Sequence, residues 1–183
     1  PCIILIWTRV PAGLKFQPVG LRDLGAVLID LKMIFAILFT ATFLGSVYVL
    51  YTYIAPLLST TMGYGRDGVT TILAVFGIGA VVGNIVGGIM ADRFGWRATL
   101  VFTCICQMAS MPVFSVLPFH DAALIALTFL WSATGFAFMS SQQMRLIQLA
   151  GAQAPVVLAL NAAAIYIGAA LGSATGAWVI EAF

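Results

Sequence analysis

The middle of the chain reads GVTTILAVFGIGAVVGNIVGGIMA from Gly68 to Ala91 and continues as DRFGWR from Asp92 to Arg97. The first stretch carries no charge and is longer than the roughly 20 helical residues that cross the hydrocarbon core of a bilayer. The second stretch places charges immediately after it. This order is typical of a transmembrane helix that ends at the membrane surface.

The same pattern repeats along the chain after Lys32, because five intervals between charges are long enough to cross a bilayer: 32–66, 67–92, 97–121, 121–145 and 145–181. Backbone groups in lipid must be hydrogen-bonded within the segment, so these runs predict helices. They are too long and too uniformly apolar for the alternating strands of a barrel. We expect one bundle over residues 33–183 with five transmembrane helices, near residues 33–57, 69–91, 97–117, 122–146 and 154–180.

The composition agrees with this class of protein. Of the 183 residues, 62% are hydrophobic and 8% are charged, whereas about a quarter of the residues of a soluble domain are charged. A soluble enzyme and a disordered chain are therefore excluded. The net charge of +2 comes from scattered basic residues, so binding of nucleic acid is also excluded. The expected fold class is an all-α integral membrane protein.

The beginning of the chain differs from the rest. An apolar run from Cys2 to Trp7 is too short to span, and we interpret residues 1–8 as the end of a truncated transmembrane helix. Residues 9–32 are expected to form a cytoplasmic linker, in which Leu21 to Lys32 make an amphipathic segment on the membrane surface. Since Pro1 is not a methionine and Phe183 directly follows a span, we expect a fragment of a longer protein.

The basic residues predict the orientation. All but one of the eight lysines and arginines fall on the same side of the predicted bundle, and Arg66 is the exception. The positive-inside rule makes the basic side cytoplasmic, which places the Asp92–Arg97 loop in the cytoplasm. The residues on this side are Arg9, Lys15, Arg22, Lys32, Arg93, Arg97 and Arg145.

The string Gly88-Ile89-Met90-Ala91-Asp92-Arg93-Phe94-Gly95-Trp96-Arg97 resembles the G-x-x-x-D-R-x-G-[RK]-[RK] signature of the major facilitator superfamily. Trp96 stands where a basic residue is common. Two further strings, residues 49–58 and 159–172, resemble the bacterial drug-and-sugar efflux branch, which includes arabinose efflux permease-like proteins and drug–proton antiporters.

This resemblance implies the C-terminal half of the superfamily fold, with the five spans as helices seven to eleven. It implies a multi-pass protein of the bacterial inner membrane that exports a small organic solute by alternating access, coupled to proton antiport. The partners would be the solute, the lipid bilayer and the missing N-terminal half of the transporter. The alternative is a non-transporting helical membrane scaffold or assembly subunit.

The family uses its signature as a latch on the cytoplasmic side of the bundle in the outward-facing state. The resemblance gives this role to Gly88, Asp92, Arg93, Gly95 and Arg97, the latch motif. A carboxylate outside a span stabilises the positive end of a neighbouring helix. We expect Gly88 to permit close helix approach and Gly95 a tight turn. The alternative is a hydrophilic turn that only sets topology.

Polar and aromatic side chains inside the spans are candidates for a substrate path. The candidates form two sets, and the members of each set share one face of a helix because of their helical spacing. Together the two sets suit a moderately apolar ligand. The alternative is that these rings face lipid or neighbouring helices. The candidates are Tyr48, Tyr51 and Thr52 on the first helix, and Trp131, Phe138 and Gln142 on the fourth.

Small residues recur at intervals of four, which lets helix backbones approach in lipid. Packing is the simplest interpretation, and a sliding contact during alternating access is compatible with it. Two asparagines on these faces are predicted to make hydrogen bonds between helices. The residues are Gly79, Gly83 and Gly87 with Asn84, and Gly168, Gly172 and Gly176 with Asn161.

Several kinds of site are not predicted. No Asp or Glu lies within a predicted span, so no proton-carrying carboxylate is visible. His120, the single histidine, is expected to be an exposed loop residue. Cys104 and Cys106 point to different helix faces and lie near no further ligand, so we predict no metal site. Without a nucleophile–histidine–acid grouping, we predict no enzyme and no cofactor.

Overall fold

The computed structural model describes residues 20–118 and 120–182, and the regular structure within these ranges is helical. The interpretations of residues 1–8 and of most of the 9–32 linker lie outside the described residues. Short 3-10 turns cover Met111–Val116 and Gly151–Gln153. The α-helices are α1 (Leu21–Ile29), α2 (Leu31–Tyr51), α3 (Ile54–Thr61), α4 (Arg66–Ser110), α5 (Asp121–Ala150) and α6 (Ala154–Ala182).

The described ranges contain three continuous helical segments that are long and apolar enough to cross a membrane, rather than five separate helices. They are Leu31–Thr61, Arg66–Val116 and Asp121–Glu181. The predicted loops at 92–96 and 151–155 are themselves helical except at single glycines. Gly95 has φ 82° and Gly151 has φ 52°. Both angles lie in the left-handed region, which glycine adopts at little cost.

Two helix ends also differ from the predicted bounds. The first helix stops at Tyr51 instead of residue 57, and α3 begins at Ile54. Pro56 explains this break, because it has no N–H to donate and its ring clashes with the carbonyl four residues before it. Helix α5 continues to Ala150 instead of residue 146. Arg145 therefore lies within the helix and not at its end.

Helix α4 reverses direction at Gly95. In its first half, Gly79 faces Phe129 of α5 and Gly87 faces Ala137, so the two stretches run parallel. In its second half the Trp96 indole N–H donates to the Gln148 side chain, 2.8 Å away. There Gln107 bonds the Trp131 carbonyl at 2.7 Å, so this half runs antiparallel to α5. The two halves of α4 therefore lie side by side on α5.

Helices α2 and α6 form a second parallel pair, in which Gly45 of α2 lies against the backbones of Gly168 and Gly172. Helix α5 joins the two pairs in the opposite direction to α2. Its Phe138 ring stacks on Phe43 with centroids 3.6 Å apart and planes 4° apart. The main apolar core is centred on this contact and on Trp131.

At the end of the bundle opposite to Gly95, the loop before α4 is fixed to the start of α5. The Tyr64 hydroxyl donates to the Asp121 carboxylate at 2.5 Å. This hydrogen bond is the main cause that raises the pKa of Tyr64 above its ordinary value. His120, which the sequence predicted to lie exposed in a loop, is exposed and is the N-cap residue of α5.

Candidate functional site

An aromatic cavity of about 170 Å³ lies where α2, α4, α5 and α6 meet. Tyr48 and Tyr51 of α2 form one wall, and Trp131 of α5 forms another. Phe76 of α4 connects them, with its ring centroid 4.6 Å from Tyr51 and 5.2 Å from Trp131. The helix spacing of Tyr48 and Tyr51 explains why both rings reach the same space.

None of the described residues that line this cavity is charged, and most of them are apolar. Tyr48, Tyr51, Trp131 and Ser132 supply the polar side-chain groups. The Trp131 side chain is 0% exposed, and its indole N–H has no hydrogen-bond partner among the described residues. The cavity thus offers ring surfaces and a few hydrogen-bonding groups, a lining that suits an uncharged organic molecule.

The other three predicted path residues lie elsewhere. Thr52 shares a 2.7 Å hydrogen bond with the Ser173 hydroxyl of α6, on the neighbouring surface. Phe138 is fully buried in its stack on Phe43. Gln142 is buried and donates to the Ala36 carbonyl at 2.6 Å and to the Thr40 hydroxyl at 3.0 Å. Phe138 and Gln142 therefore hold helices together, and for all six residues a part in transport stays a prediction.

Sequence reasoning missed Phe76, which contacts both walls of the cavity. One signal was present, because Phe76 lies three residues before Gly79 and so on the face that packs against α5. Phe136 was missed as well, and its ring lies 5.9 Å from that of Phe76. Phe76 belongs to a helix on which no set of candidates was recognised, and Phe136 lies five residues from Trp131, off the helical spacing that selected the candidates.

The latch motif surrounds the reversal of α4. Asp92 and Arg93 are exposed at this end of the bundle. Arg97 lies over the Trp96 ring, with its guanidinium carbon 5.4 Å from the ring centroid. Gly95 provides the turn that was expected of it. Gly88 differs, because a Cβ there would have no described atom within 4 Å, and the close approach belongs to Gly87.

The glycine registers lie on helix contacts. A Cβ on Gly83 would collide with the backbone of Ala133, and one on Gly172 with the backbone of Gly45. Asn161 accepts a hydrogen bond from the Thr40 hydroxyl at 2.6 Å and so connects α6 to α2. Asn84 does not connect helices through its side chain, which donates to Ala80 within its own helix.

Among residues 20–118 and 120–182, no three His, Cys, Asp or Glu side chains lie close enough together to hold a metal ion.

Comparisons with known proteins agree on one family. The family model described as Major Facilitator Superfamily matches residues 2–173. The inner membrane transport protein YdhP of Escherichia coli K12 is 32% identical over 180 residues, which are 98% of this chain and 46% of that protein. The uncharacterized MFS-type transporter YbcL of Bacillus subtilis is 25% identical, again over 98% of this chain and 46% of its own length.

A chloramphenicol resistance protein of Streptomyces lividans is 26% identical over 77% of this chain and 36% of its own length. No solved structure matches the chain significantly. The chain spans about half the length of the first two relatives that it matches. Because the family model covers most of its residues and a relative above 30% identity covers almost all of them, the chain belongs to the major facilitator superfamily.

Proposed function

We propose that this chain is the C-terminal part of a secondary active transporter of the bacterial inner membrane that exports a small organic solute. Export would proceed by alternating access and be driven by proton antiport. The observation that carries the proposal is the uncharged aromatic cavity between α2, α4 and α5. A lining of this kind binds apolar molecules and orients them through a few polar groups. The chloramphenicol resistance protein among the relatives supports an export direction.

The proposal includes five membrane crossings. The segment Arg66–Val116 has 51 residues, which at 1.5 Å per residue would extend for about 75 Å, more than twice the thickness of the hydrocarbon core. Its reversal at Gly95 divides it into two lengths that each suit one crossing. The segment Asp121–Glu181 has 61 residues and is divided in the same way at Gly151. With Leu31–Thr61, this gives five crossings of alternating direction.

The distribution of charge predicts which end of the bundle lies on which side of the membrane. The end that holds Arg93, Arg97 and Arg145 would be cytoplasmic, and the end that holds Arg66 would face outward. In this orientation the latch motif would stabilise the outward-facing state through Asp92. The predicted spans contain no Asp or Glu, so we place the proton-coupling group in the rest of the transporter.

Transport by the whole protein tests this function. The full-length gene product is expressed in bacteria that lack their own efflux pumps, and the accumulation of chloramphenicol is measured with and without a protonophore. We expect low accumulation that rises when the protonophore abolishes the proton gradient. Tyr51→Ala should raise the KM for export about tenfold, because a buried aromatic contact contributes strongly to binding.

Tyr166→Ala is the matched control, since Tyr166 is 76% exposed on α6 and does not line the cavity. It should leave the KM within about twofold of the original value. If a panel of uncharged aromatic compounds shows no energy-dependent export, the chain is better explained as a membrane scaffold. If Tyr51→Ala and Tyr166→Ala behave alike, the cavity is not the binding site.

A further inference from the structure

A groove of about 630 Å³ lies on the face formed by α2, the second half of α4 and the end of α5. We propose that it binds one anionic phospholipid, with the phosphate between Arg97 and Arg145 and an acyl chain along α4. This site is separate from the aromatic cavity. The proposal goes beyond the transport function but uses the same placement of the helices across the bilayer.

The charged end of the groove is built around one tryptophan. The guanidinium carbon of Arg145 lies 5.6 Å from the Trp96 ring centroid and 5.5 Å from that of Phe39. The guanidinium of Arg97 lies over the same indole at 5.4 Å. The indole is fixed by its hydrogen bond to Gln148. Two cations are thus held against one aromatic ring and repel each other, an arrangement that an anion between them would stabilise.

The described residues that line the groove supply no such anion. None of them is Asp or Glu, and the Nε atom of Arg145 is buried without a hydrogen-bond partner. A phosphate group carries several acceptor oxygens and matches the planar fork of guanidinium donors. One phosphodiester would therefore satisfy the buried donor and neutralise part of the paired positive charge.

The rest of the groove is apolar and selects a lipid rather than a soluble phosphate. Leu100 forms part of its floor, and Val101 and Ile105 remain 60% and 54% exposed along its side. From Arg97 to Ile105 the helix rises about 12 Å, enough to contact the upper half of an acyl chain. A soluble phosphate would contact only the arginines, whereas a phospholipid at the membrane surface would contact both parts.

Quenching of Trp96 fluorescence by brominated lipids tests the proposal. The full-length protein is prepared with its other tryptophans replaced by phenylalanine and is reconstituted in mixtures of brominated phosphatidylglycerol or brominated phosphatidylcholine with unbrominated lipid. We expect phosphatidylglycerol to bind at Trp96 at least about fivefold more tightly than phosphatidylcholine, given the attraction of each arginine for an anionic lipid. Inorganic phosphate at millimolar concentration should not displace it.

Matched variants separate this site from a general preference for anionic lipid. The double variant Arg97→Gln, Arg145→Gln should bind phosphatidylglycerol and phosphatidylcholine about equally tightly. The variant Arg93→Gln should retain the preference for phosphatidylglycerol. Arg93 is an exposed arginine at the same end of the bundle but does not line the groove. Arg145→Lys keeps the charge and should retain most of the preference, which guards against misfolding of the double variant.

Four results would overturn the proposal. The first is equal quenching by the two lipids in the original protein, and the second is an equal loss of preference in Arg93→Gln. The third is the absence of quenching by either lipid, which would show that another part of the transporter covers the groove. Displacement by inorganic phosphate would also count against it, because the occupant would then be a soluble anion.

Discussion

At the scale of single residues, two asparagines of similar sequence context have different surroundings. Asn161 is buried and accepts from Thr40 across a helix contact, and Thr40 in turn accepts from Gln142. This chain of side chains connects α5, α2 and α6. The Asn84 side chain is exposed and donates only within its own helix, whereas its backbone carbonyl accepts from Ser140 of α5. The side chain of Asn161 thus contributes to holding the bundle, and the side chain of Asn84 does not.

We therefore predict that Asn161→Ala destabilises the protein by about 1–2 kcal/mol, the range that model peptides give for hydrogen bonds between membrane helices, because the buried Thr40 hydroxyl would lose its acceptor. Asn84→Ala should change the stability by no more than about 0.5 kcal/mol. Reversible unfolding of the purified protein in mixed micelles measures both variants. Equal effects would mean that the buried chain of hydrogen bonds adds nothing to stability.

The residue scale also shows how far the sequence predicted the candidate site. The spacing of Tyr48 and Tyr51, and the choice of Trp131, were sufficient to find three residues of the aromatic cavity. Phe138 and Gln142 share a helix face with Trp131, but α2 lies against that face further along. The spacing of residues on one helix cannot show where a neighbouring helix packs against it. The sequence therefore predicted Phe138 and Gln142 as path residues, although both are buried against α2.

At the scale of helices, contacts between backbones determine which pairs form. The first half of α4 lies against α5 through Gly79, Gly83 and Gly87, whereas Gly77 on the same helix faces open space. The glycine register was readable in the sequence because small residues at intervals of four mark a helix contact in lipid. The sequence did not show which helix would be the partner.

Gly83→Ala is predicted to destabilise the bundle by about 1–3 kcal/mol, because its Cβ would meet the Ala133 backbone and the two helices would have to separate. Gly77→Ala should be neutral or stabilise the protein by up to about 1 kcal/mol, since alanine favours a helix interior over glycine. Thermal unfolding in detergent compares the two. A neutral Gly83→Ala would show that the helices pack less closely than described.

The two glycines of the latch motif differ in the same way. Gly95 has φ 82° and ψ 153°, a combination that is essentially restricted to glycine. The sequence predicted a turn here from the nearby charges, which hydropathy assigns to a loop. It did not predict that helical hydrogen bonding would continue on both sides of one residue. The charges therefore mark the position of the reversal but not its length.

Gly95→Ala should destabilise the protein by about 1–3 kcal/mol through backbone strain alone, as its Cβ would touch no described atom. Gly88→Ala is the control, because Gly88 lies in regular helix and also faces open space. It should be neutral or slightly stabilising. Unfolding measurements compare the stabilities of the two variants. If Gly95→Ala were as stable as the original protein, the description of the turn would be contradicted.

At the scale of the whole molecule, the spacing of charges correctly predicted an all-helical chain of long apolar segments, but it predicted five separate helices where the described residues form three continuous segments. The break between α2 and α3 and the continuity of α4 depend on local backbone geometry and were not readable in the sequence. The resulting bundle has Arg93, Arg97 and Arg145 at one end and its aromatic cavity further along the helices. Under the proposed function, we expect that a change at the basic end alters transport without touching the cavity.

Asp92 provides the test of that separation. We predict that Asp92→Asn in the full-length transporter reduces the initial rate of export several-fold while its amount in the membrane stays nearly unchanged. A charge at a helix end contributes about 0.3–2 kcal/mol, enough to shift an equilibrium between two conformations but not to decide folding. Because the carboxylate is exposed and outside the cavity, the KM should change less than the maximal rate.

Asp67→Asn, at the start of α4, removes an exposed carboxylate from the opposite end and should retain normal export. Rates measured at matched expression distinguish the two variants, and unchanged export by Asp92→Asn would reduce the latch motif to a signal for topology.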